Sequence, residues 1–460
     1  MNQNLVFDLD LIKKYDQSGP RYTSYPTAVQ FTDEFGLDEY HQAAKDSNNT
    51  DQALSLYFHI PFCDTVCFYC GCNKIATKDR SKAQPYLDRM YRELKMQSEL
   101  FDAERTVEQL HWGGGTPTFI SHEQMVELMQ QTRKRFKLLD DDQGEYSIEI
   151  DPREANADTI KLLREIGFNR MSLGVQDFDY QVQNAVNRIQ SEEETFTVLE
   201  SAREQGFKSM SIDLIYGLPF QNVKSFETTL DKIIQASPDR MSIFNYAHLP
   251  TLFKPQRRIN EDELPSPQEK LDILTMTADK LAQAGYVYIG MDHFAKPDDE
   301  LAIAQREGTL YRNFQGYSTH AECDLIGIGI TSIGMVGPTY SQNLKTLDEY
   351  YEMIDSGSLA VFRGLRLNRD DEIRRDVITK LICNFTLDFA VIEKSWEINF
   401  AEYFETELQQ LEDMADDGLI ELTDNQINVM PKGRFLIRNI CMVFDIYMKQ
   451  QQQARFSKVI

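Results

Sequence analysis

The chain has 460 residues, 42% hydrophobic, 11% aromatic and 26% charged, a globular composition that excludes fibrous and disordered classes. Its length suits roughly three domains of about 150 residues, or fewer if one is a barrel. A net charge of −25 argues against nucleic-acid and anionic-membrane partners, because both demand a basic surface.

Residues 1–10 lack a basic cap and a cleavage site, and no apolar run nears the roughly 18 residues of a membrane helix. A cytoplasmic protein is expected. Residues 1–50 form an N-terminal extension of polar, helix-like pieces. They are interrupted by Gly-Pro-Arg-Tyr-Thr-Ser-Tyr-Pro-Thr at 19–27, too rich in Pro, Ser and Tyr for regular structure. From the residues alone, an ordinary surface loop explains that run as well as a functional one.

From residue 54 the texture changes. Apolar runs at 54–62, 109–112, 146–150, 171–175, 209–216, 241–246 and, more weakly, 286–291 alternate with helical periodicity at 85–101, 121–136, 158–166, 192–205, 225–235 and 267–284. That alternation predicts βαβ units and a parallel sheet, hence an α/β fold. Gly167, Gly206 and Gly285 follow helices and read as C-terminal caps. The pattern turns all helical from Thr346, then yields a small hairpin at 418–423 and 426–430, a winged-helix-like arrangement. Nothing between Lys394 and Lys432 is basic, so DNA binding is not expected. The expected units are 1–50, 51–345 and 346–460.

Four of the seven cysteines lie between Cys63 and Cys72, directly after the first strand. The spacing Cys63-x3-Cys67-x2-Cys70 lets three thiolates converge from one loop, which suits three corners of an iron–sulfur cube and leaves one iron open. Zinc with Cys72 as fourth ligand is the alternative, although structural zinc sites usually split their ligands into two separated pairs. A disulfide staple is disfavoured, since a compact loop has nothing useful to bridge. Iron-bound thiolates also require a reducing compartment. Tyr69, beside Cys70, offers a flat face to an adenine.

Ligand chemistry in parallel α/β folds collects at strand ends. The second strand ends in Gly113-Gly114-Gly115-Thr116-Pro117, a run that by itself is equally a tight turn. The third places Glu149 in an apolar strand, where a carboxylate must be paired or functional. The fourth runs into Gly174-Val175-Gln176-Asp177, with Asn187-Arg188 beyond. The fifth contains Asp213, and the sixth ends at Asn245-Tyr246-Ala247-His248. Each polar residue taken singly is equally a cap or a buried backbone bond; six successive polar or glycine-bearing ends are not.

These motifs carry a resemblance. The C-x3-C-x2-C loop resembles the radical S-adenosylmethionine superfamily. Together with Tyr57-Phe58-His59-Ile60-Pro61-Phe62-Cys63, Gly113–Pro117, Glu149–Pro152, Gly174–Asp177 and Asp213-Leu214-Ile215-Tyr216-Gly217-Leu218-Pro219, it resembles the oxygen-independent coproporphyrinogen III oxidase family over most of the chain. The related haem chaperones, binding proteins without turnover, generally lack Cys72, the 21–27 segment and Arg312-Asn313-Phe314-Gln315-Gly316-Tyr317, all present here. A ferredoxin would be far shorter and would ligate all four irons through cysteine.

The resemblance implies a partial (β/α)6 barrel with an N-terminal extension and an added C-terminal domain. It implies oxidative decarboxylation of two propionates of coproporphyrinogen III to vinyl groups, giving protoporphyrinogen IX through a 5′-deoxyadenosyl radical. Cys63, Cys67 and Cys70 are then expected to hold a [4Fe–4S] cluster. Tyr69, Gly115, Thr116, Gln176, Arg188, Asp213 and Ala247 are expected to contact the S-adenosylmethionine on its open iron. Tyr57, the expected catalytic residue, is placed with Gly114, Glu149 and Ile333 near a second S-adenosylmethionine, with Phe314 and Gln315 close by. Two S-adenosylmethionine molecules are consumed. A flavodoxin- or ferredoxin-like electron donor, an unidentified electron acceptor and a monomeric state are expected. The substrate's carboxylates conflict with the chain's charge, so Arg21 and Arg312 are candidates to grip them. His41, His111, His122, His293 and His320 show no metal-site spacing and read as structural or surface residues.

Overall fold

The computed structural model describes residues 5–320 and 322–448. Six parallel strands, β1 (Leu54–Ile60), β2 (Thr106–Gly114), β3 (Glu145–Ile150), β4 (Arg170–Gln176), β5 (Ser209–Tyr216) and β6 (Arg240–Asn245), alternate with helices in the order the periodicity predicts. They pair in sequence order, each parallel to the next. Strand β5 shows why this sequence makes a barrel wall. Met210, Ile212, Leu214 and Tyr216 are buried, as period-two alternation requires of the face turned to the helices. Ser209 and Ser211, on the other face, line an interior cavity of about 120 Å³ with His111, Ser147, Ser172 and Arg240. The barrel interior is therefore polar.

Helix entry and exit follow local chemistry. Ser121 and Gln124 form a capping box at the start of His122–Arg135. Gly167 ends Ala157–Ile166 in the left-handed region at φ 116°, which only glycine adopts without strain.

The sheet continues on both sides. Beyond β6 lie β7 (Val287–Gly290) and β8 (His293–Ala295). Beyond β1 lie β9 (Asp324–Ile328), β10 (Ile333–Val336), β11 (Thr339–Asn343) and β12 (Val361–Arg366). The full order is β7-β8-β6-β5-β4-β3-β2-β1-β9-β10-β11-β12, so the barrel does not close through its edge strands. β9 runs parallel to β1, whereas β9 to β12 form an antiparallel meander. The all-helical expectation from Thr346 therefore fails at Val361–Arg366, which completes the main sheet. The C-terminal hairpin is present as Ile420–Leu422 and Gln426–Val429, joined by a third strand, Thr386–Asp388. The helix Arg369–Asn384 packs against β7 and the Tyr311–Asn313 hairpin, attaching this unit to the barrel's edge.

Residues 19–27 are not a surface loop. Tyr22 is 4% exposed, its hydroxyl donates to Asp445 at 3.0 Å, and the Tyr25 carbonyl accepts from Tyr340 at 3.0 Å. The segment is packed between the sheet and the C-terminal unit. Among the described residues no helix is long and apolar enough to cross a membrane.

Candidate active site

The strand ends converge around the cysteine loop. After β1 the chain forms a two-residue ladder, Phe62–Cys63 beside Ile75–Ala76, with Ile75 N donating to Pro61 O at 2.7 Å and Thr77 N to Cys63 O at 2.9 Å. This ladder closes the loop carrying Cys67, Cys70 and Cys72. Phe68 N donates to Val186 O at 2.9 Å and Asn187 Nδ2 to Val66 O at 2.8 Å, fastening the loop to the segment after β4. The glycine run binds it from the other side: Gly115 N donates to Ile60 O and Thr116 N to Phe62 O, both at 2.8 Å. A Cβ on Gly115 would fall 2.6 Å from Pro61 O; the close approach requires glycine.

The sulfurs are free thiols among polar donors. Thr116 Oγ1 lies 3.6 Å from Cys63 Sγ, Arg188 Nη1 and Arg153 Nη2 lie 3.6 and 3.8 Å from Cys67 Sγ, and Cys72 N donates to Cys70 Sγ at 3.4 Å. Donors at all three sulfurs suit thiolates that carry negative charge on a cluster. Cys72 is exposed, and its thiol's hydrogen bond pulls the Cys70 thiol below its ordinary range.

Arg188 stands behind this loop, paired with Asp151 at 2.9 Å, while Arg153 grips the same carboxylate through Nε at 2.9 Å and Nη2 at 2.6 Å. Burial pushes the Asp151 carboxyl up, but Arg188 and Arg153 outweigh it and hold it at about 2. Arg188 Nη2 donates to Gly174 O at 2.5 Å, and its Nε is buried with no acceptor, as is the Asn245 side-chain oxygen Oδ1 with no donor. An orphaned donor and an orphaned acceptor flanking the strand ends fit a site made for a ligand with hydroxyls, amines and carboxylates. Asp151 thus occupies Nη1 of Arg188 and leaves its Nε as the open donor.

Asp213 accepts from the Ser172 hydroxyl at 2.9 Å, and burial raises its carboxyl to about 6. Gln176 ends β4 at φ 69°, where β4 shifts register against β5. Gln256 reaches across from a 3₁₀ turn, donating to Tyr69 O at 2.9 Å and Ala247 O at 3.3 Å, so one amide holds two of the residues expected to contact S-adenosylmethionine.

A second group lies on β1 to β3 and β10. Tyr57 stacks on His111 with centroids 5.8 Å apart and planes 11° apart. His111 bridges Ser147 at 2.6 Å and Glu149 at 3.4 Å, and Gly114 N donates to Glu149 at 3.1 Å. The Glu149 side chain is 48% accessible although walled by protein. The surrounding protein pushes its carboxyl up, but the bonds from His111 and the Gly114 amide prevail and hold it below its ordinary range. Ile333 O lies against Gly327, the β9 partner of Tyr57, and the side chains of Ile333 and Phe314 both pack against the cluster of Phe31, Tyr340 and Leu367.

Asp151, Arg153, His59 and Gln256 are site components to which the motifs assigned no role, and His111, read as structural or surface, instead bridges Ser147 and Glu149 in the site. Asp151-Pro152-Arg153 sits at a strand end and was findable there; the others take their role from distant elements. His122 bonds Thr159 as a structural residue does, whereas His320 pairs with Glu108 and lies with Cys323 in a group whose ligand atoms fall within 4.8 Å of one another; His111 lines the barrel interior.

A profile of the radical SAM superfamily matches residues 57–233, and one of the HemN C-terminal domain matches 367–436. The oxygen-independent coproporphyrinogen III oxidase of Pseudomonas aeruginosa is 55% identical over 460 residues, covering 100% of both chains. That of Escherichia coli K12 is 53% identical over 459 residues, covering 100% of this chain and 99% of the relative. The solved structure of coproporphyrinogen III oxidase (HemN) from Escherichia coli, described as a radical SAM enzyme, superposes with a TM-score of 0.92 at 52% identity, covering 96% of this chain and 100% of that one. Such membership implies a [4Fe–4S] cluster and S-adenosylmethionine. With near-complete coverage by relatives of one kind, the chain belongs to the oxygen-independent coproporphyrinogen III oxidase family of the radical SAM superfamily.

Proposed function

We infer that this protein oxidatively decarboxylates two propionates of coproporphyrinogen III to vinyl groups, forming protoporphyrinogen IX in haem biosynthesis. The observation that carries this reading is the end-to-end identity with oxidases so named, supported by three sulfurs each beside a polar donor at the mouth of a polar barrel. Cys63, Cys67 and Cys70 hold the cluster. When bound, the cluster and S-adenosylmethionine supply a 5′-deoxyadenosyl radical.

The chain's own residues bind and orient. Thr116, Arg153 and Arg188 donate toward the cluster sulfurs, and Asp151 fixes both guanidinium groups. Asp213 and Gln176 bond ribose hydroxyls, Arg188 Nε serves the methionine carboxylate, and Tyr69, Gly115 and Ala247 frame the adenine. Gly114, Glu149, Ile333 and Tyr57 bound a second S-adenosylmethionine. Tyr57 faces the reacting region as a neutral phenol, since burial and then Glu149 raise its pKa.

A flavodoxin- or ferredoxin-like protein donates electrons, the final acceptor is a separate molecule, and the enzyme works as a cytoplasmic monomer. The functional units are the extension at 1–50, the barrel, and a C-terminal unit. The last is better begun at 367 than at 346, because β12 belongs to the sheet.

Anaerobic incubation of the reconstituted protein with S-adenosylmethionine, reductant and coproporphyrinogen III tests the reading. Vinyl product is expected; tight haem binding without turnover would instead indicate a chaperone.

A further inference from the structure

A cavity of about 440 Å³ beside Ala247 is lined on one side by Arg21, whose side chain is 35% exposed. Behind Arg21 runs a line of ring contacts into the barrel. Its guanidinium lies over Phe244 at 5.9 Å; Phe244 meets His293 edge-on at 6.0 Å; His293 meets Tyr317 edge-on at 5.2 Å; and Arg312 lies over Tyr317 at 4.6 Å.

Arg312 is 6% exposed, yet its Nε and Nη1 are buried with no acceptor, as is His293 Nδ1 with no partner. The carboxylate in the group is Asp292, bound to Arg21 at 2.8 Å. Arg438, which donates through Nε to Pro20 O at 2.9 Å, is drawn to Asp292 and opposed by Arg21 and Arg312. The fields of Arg312 and Arg21 both reach His293, inside a chain of net charge −25. Burial and then the field of Arg312 keep His293 neutral. A buried cation with unmet donors is costly unless an anion arrives, and a carboxylate is the anion a guanidinium fork best matches.

We propose that Arg21, His293 and Arg312 form the seat for a propionate carboxylate of the tetrapyrrole, with Arg21 at the mouth and Arg312 as the inner anchor. This rests on the functional reading above. The adjoining Phe244 and Tyr317 supply flat apolar surface for the pyrrole bearing that propionate.

The test is anaerobic equilibrium binding of coproporphyrin III, an aromatic analogue with the same carboxylates, to cluster-loaded protein, alongside its tetramethyl ester. In Arg312→Gln and Arg21→Gln the Kd for the acid should rise by roughly 10- to 150-fold, the loss of a charge-assisted bond, while the Kd for the ester stays the same. Arg312→Lys should recover part of the acid's affinity. Unchanged acid binding in folded variants, or equal loss for acid and ester, overturns the proposal. Should Arg312→Gln fail to fold, Arg21→Gln decides. Wild-type protein that binds the acid but makes no vinyl product would overturn the functional reading and not the seat.

Discussion

The Tyr57 hydroxyl donates to His59 Nδ1 at 3.1 Å, because His59 Nε2 faces the Asn73 carbonyl at 3.1 Å and must carry the ring's proton. The carbonyl of His59 in turn accepts from Tyr86 at 2.7 Å. Tyr57 is thereby held in the middle of β1, its ring on His111 and its hydroxyl fixed as a donor. Tyr57→Phe should cost about 1 kcal/mol of stability and leave iron content unchanged. Product formation should fall by about tenfold or more, the loss of roughly 1.4 kcal/mol of transition-state stabilisation. Wild-type turnover in this variant would remove Tyr57 from the chemistry.

Cys63→Ser, Cys67→Ser and Cys70→Ser should each abolish the visible absorption of the cluster and its sulfide, whereas Cys72→Ser should retain both. A cofactor that needs one open iron uses three protein thiolates, and Cys72 is the exposed one. An intact cluster in Cys67→Ser would contradict the ligand set.

Gly115→Ala should lower stability by about 1–3 kcal/mol, the usual cost of overpacking. The new methyl meets the backbone oxygens of Pro61 and Phe62 at 2.6 and 2.7 Å, and neither can move without opening the Phe62–Cys63 ladder. Thermal denaturation and S-adenosylmethionine binding should both report the loss; a variant unchanged in both would show that the approach is looser than the geometry indicates.

Glu93 is buried beneath the barrel wall, accepting from Tyr350 at 2.6 Å, Asn343 at 2.7 Å and Gly329 N at 2.8 Å. Burial raises its carboxyl to about 7, above the ~4.3 of the unfolded chain. The unfolded state therefore loses its proton first, and stability falls as pH rises from about 4 to about 7, by on the order of 3 kcal/mol. Denaturant titrations at several pH values should show this slope in the wild type and its flattening in Glu93→Gln. A persistent slope in the variant would assign the dependence to other groups.

Much of this was legible from residues because strand and helix alternate with clear periods, as Ser209–Tyr216 illustrates. Cysteine spacing, and acids such as Glu149 and Asp213 set among apolar neighbours, mark the site for the same reason: their cost in a strand demands an explanation. The meander was not legible. Asp324–Ile328 is short and Val361–Arg366 does not alternate cleanly in burial, so neither carries a strand signature without its partners. His111 and Gln256 were equally silent, since each acquires its role only when segments far apart in sequence meet. The segment at 19–27 appeared loop-like and is irregular, but its tyrosines are buried against residues more than 300 positions away.

The most direct measurement counts protoporphyrinogen IX and 5′-deoxyadenosine together in one anaerobic reaction of reconstituted protein with reductant, S-adenosylmethionine and coproporphyrinogen III. The account predicts vinyl product accompanied by two equivalents of 5′-deoxyadenosine, both lost in Cys67→Ser. Product formation that persists without the cluster, or nucleoside release with no vinyl product, would contradict it.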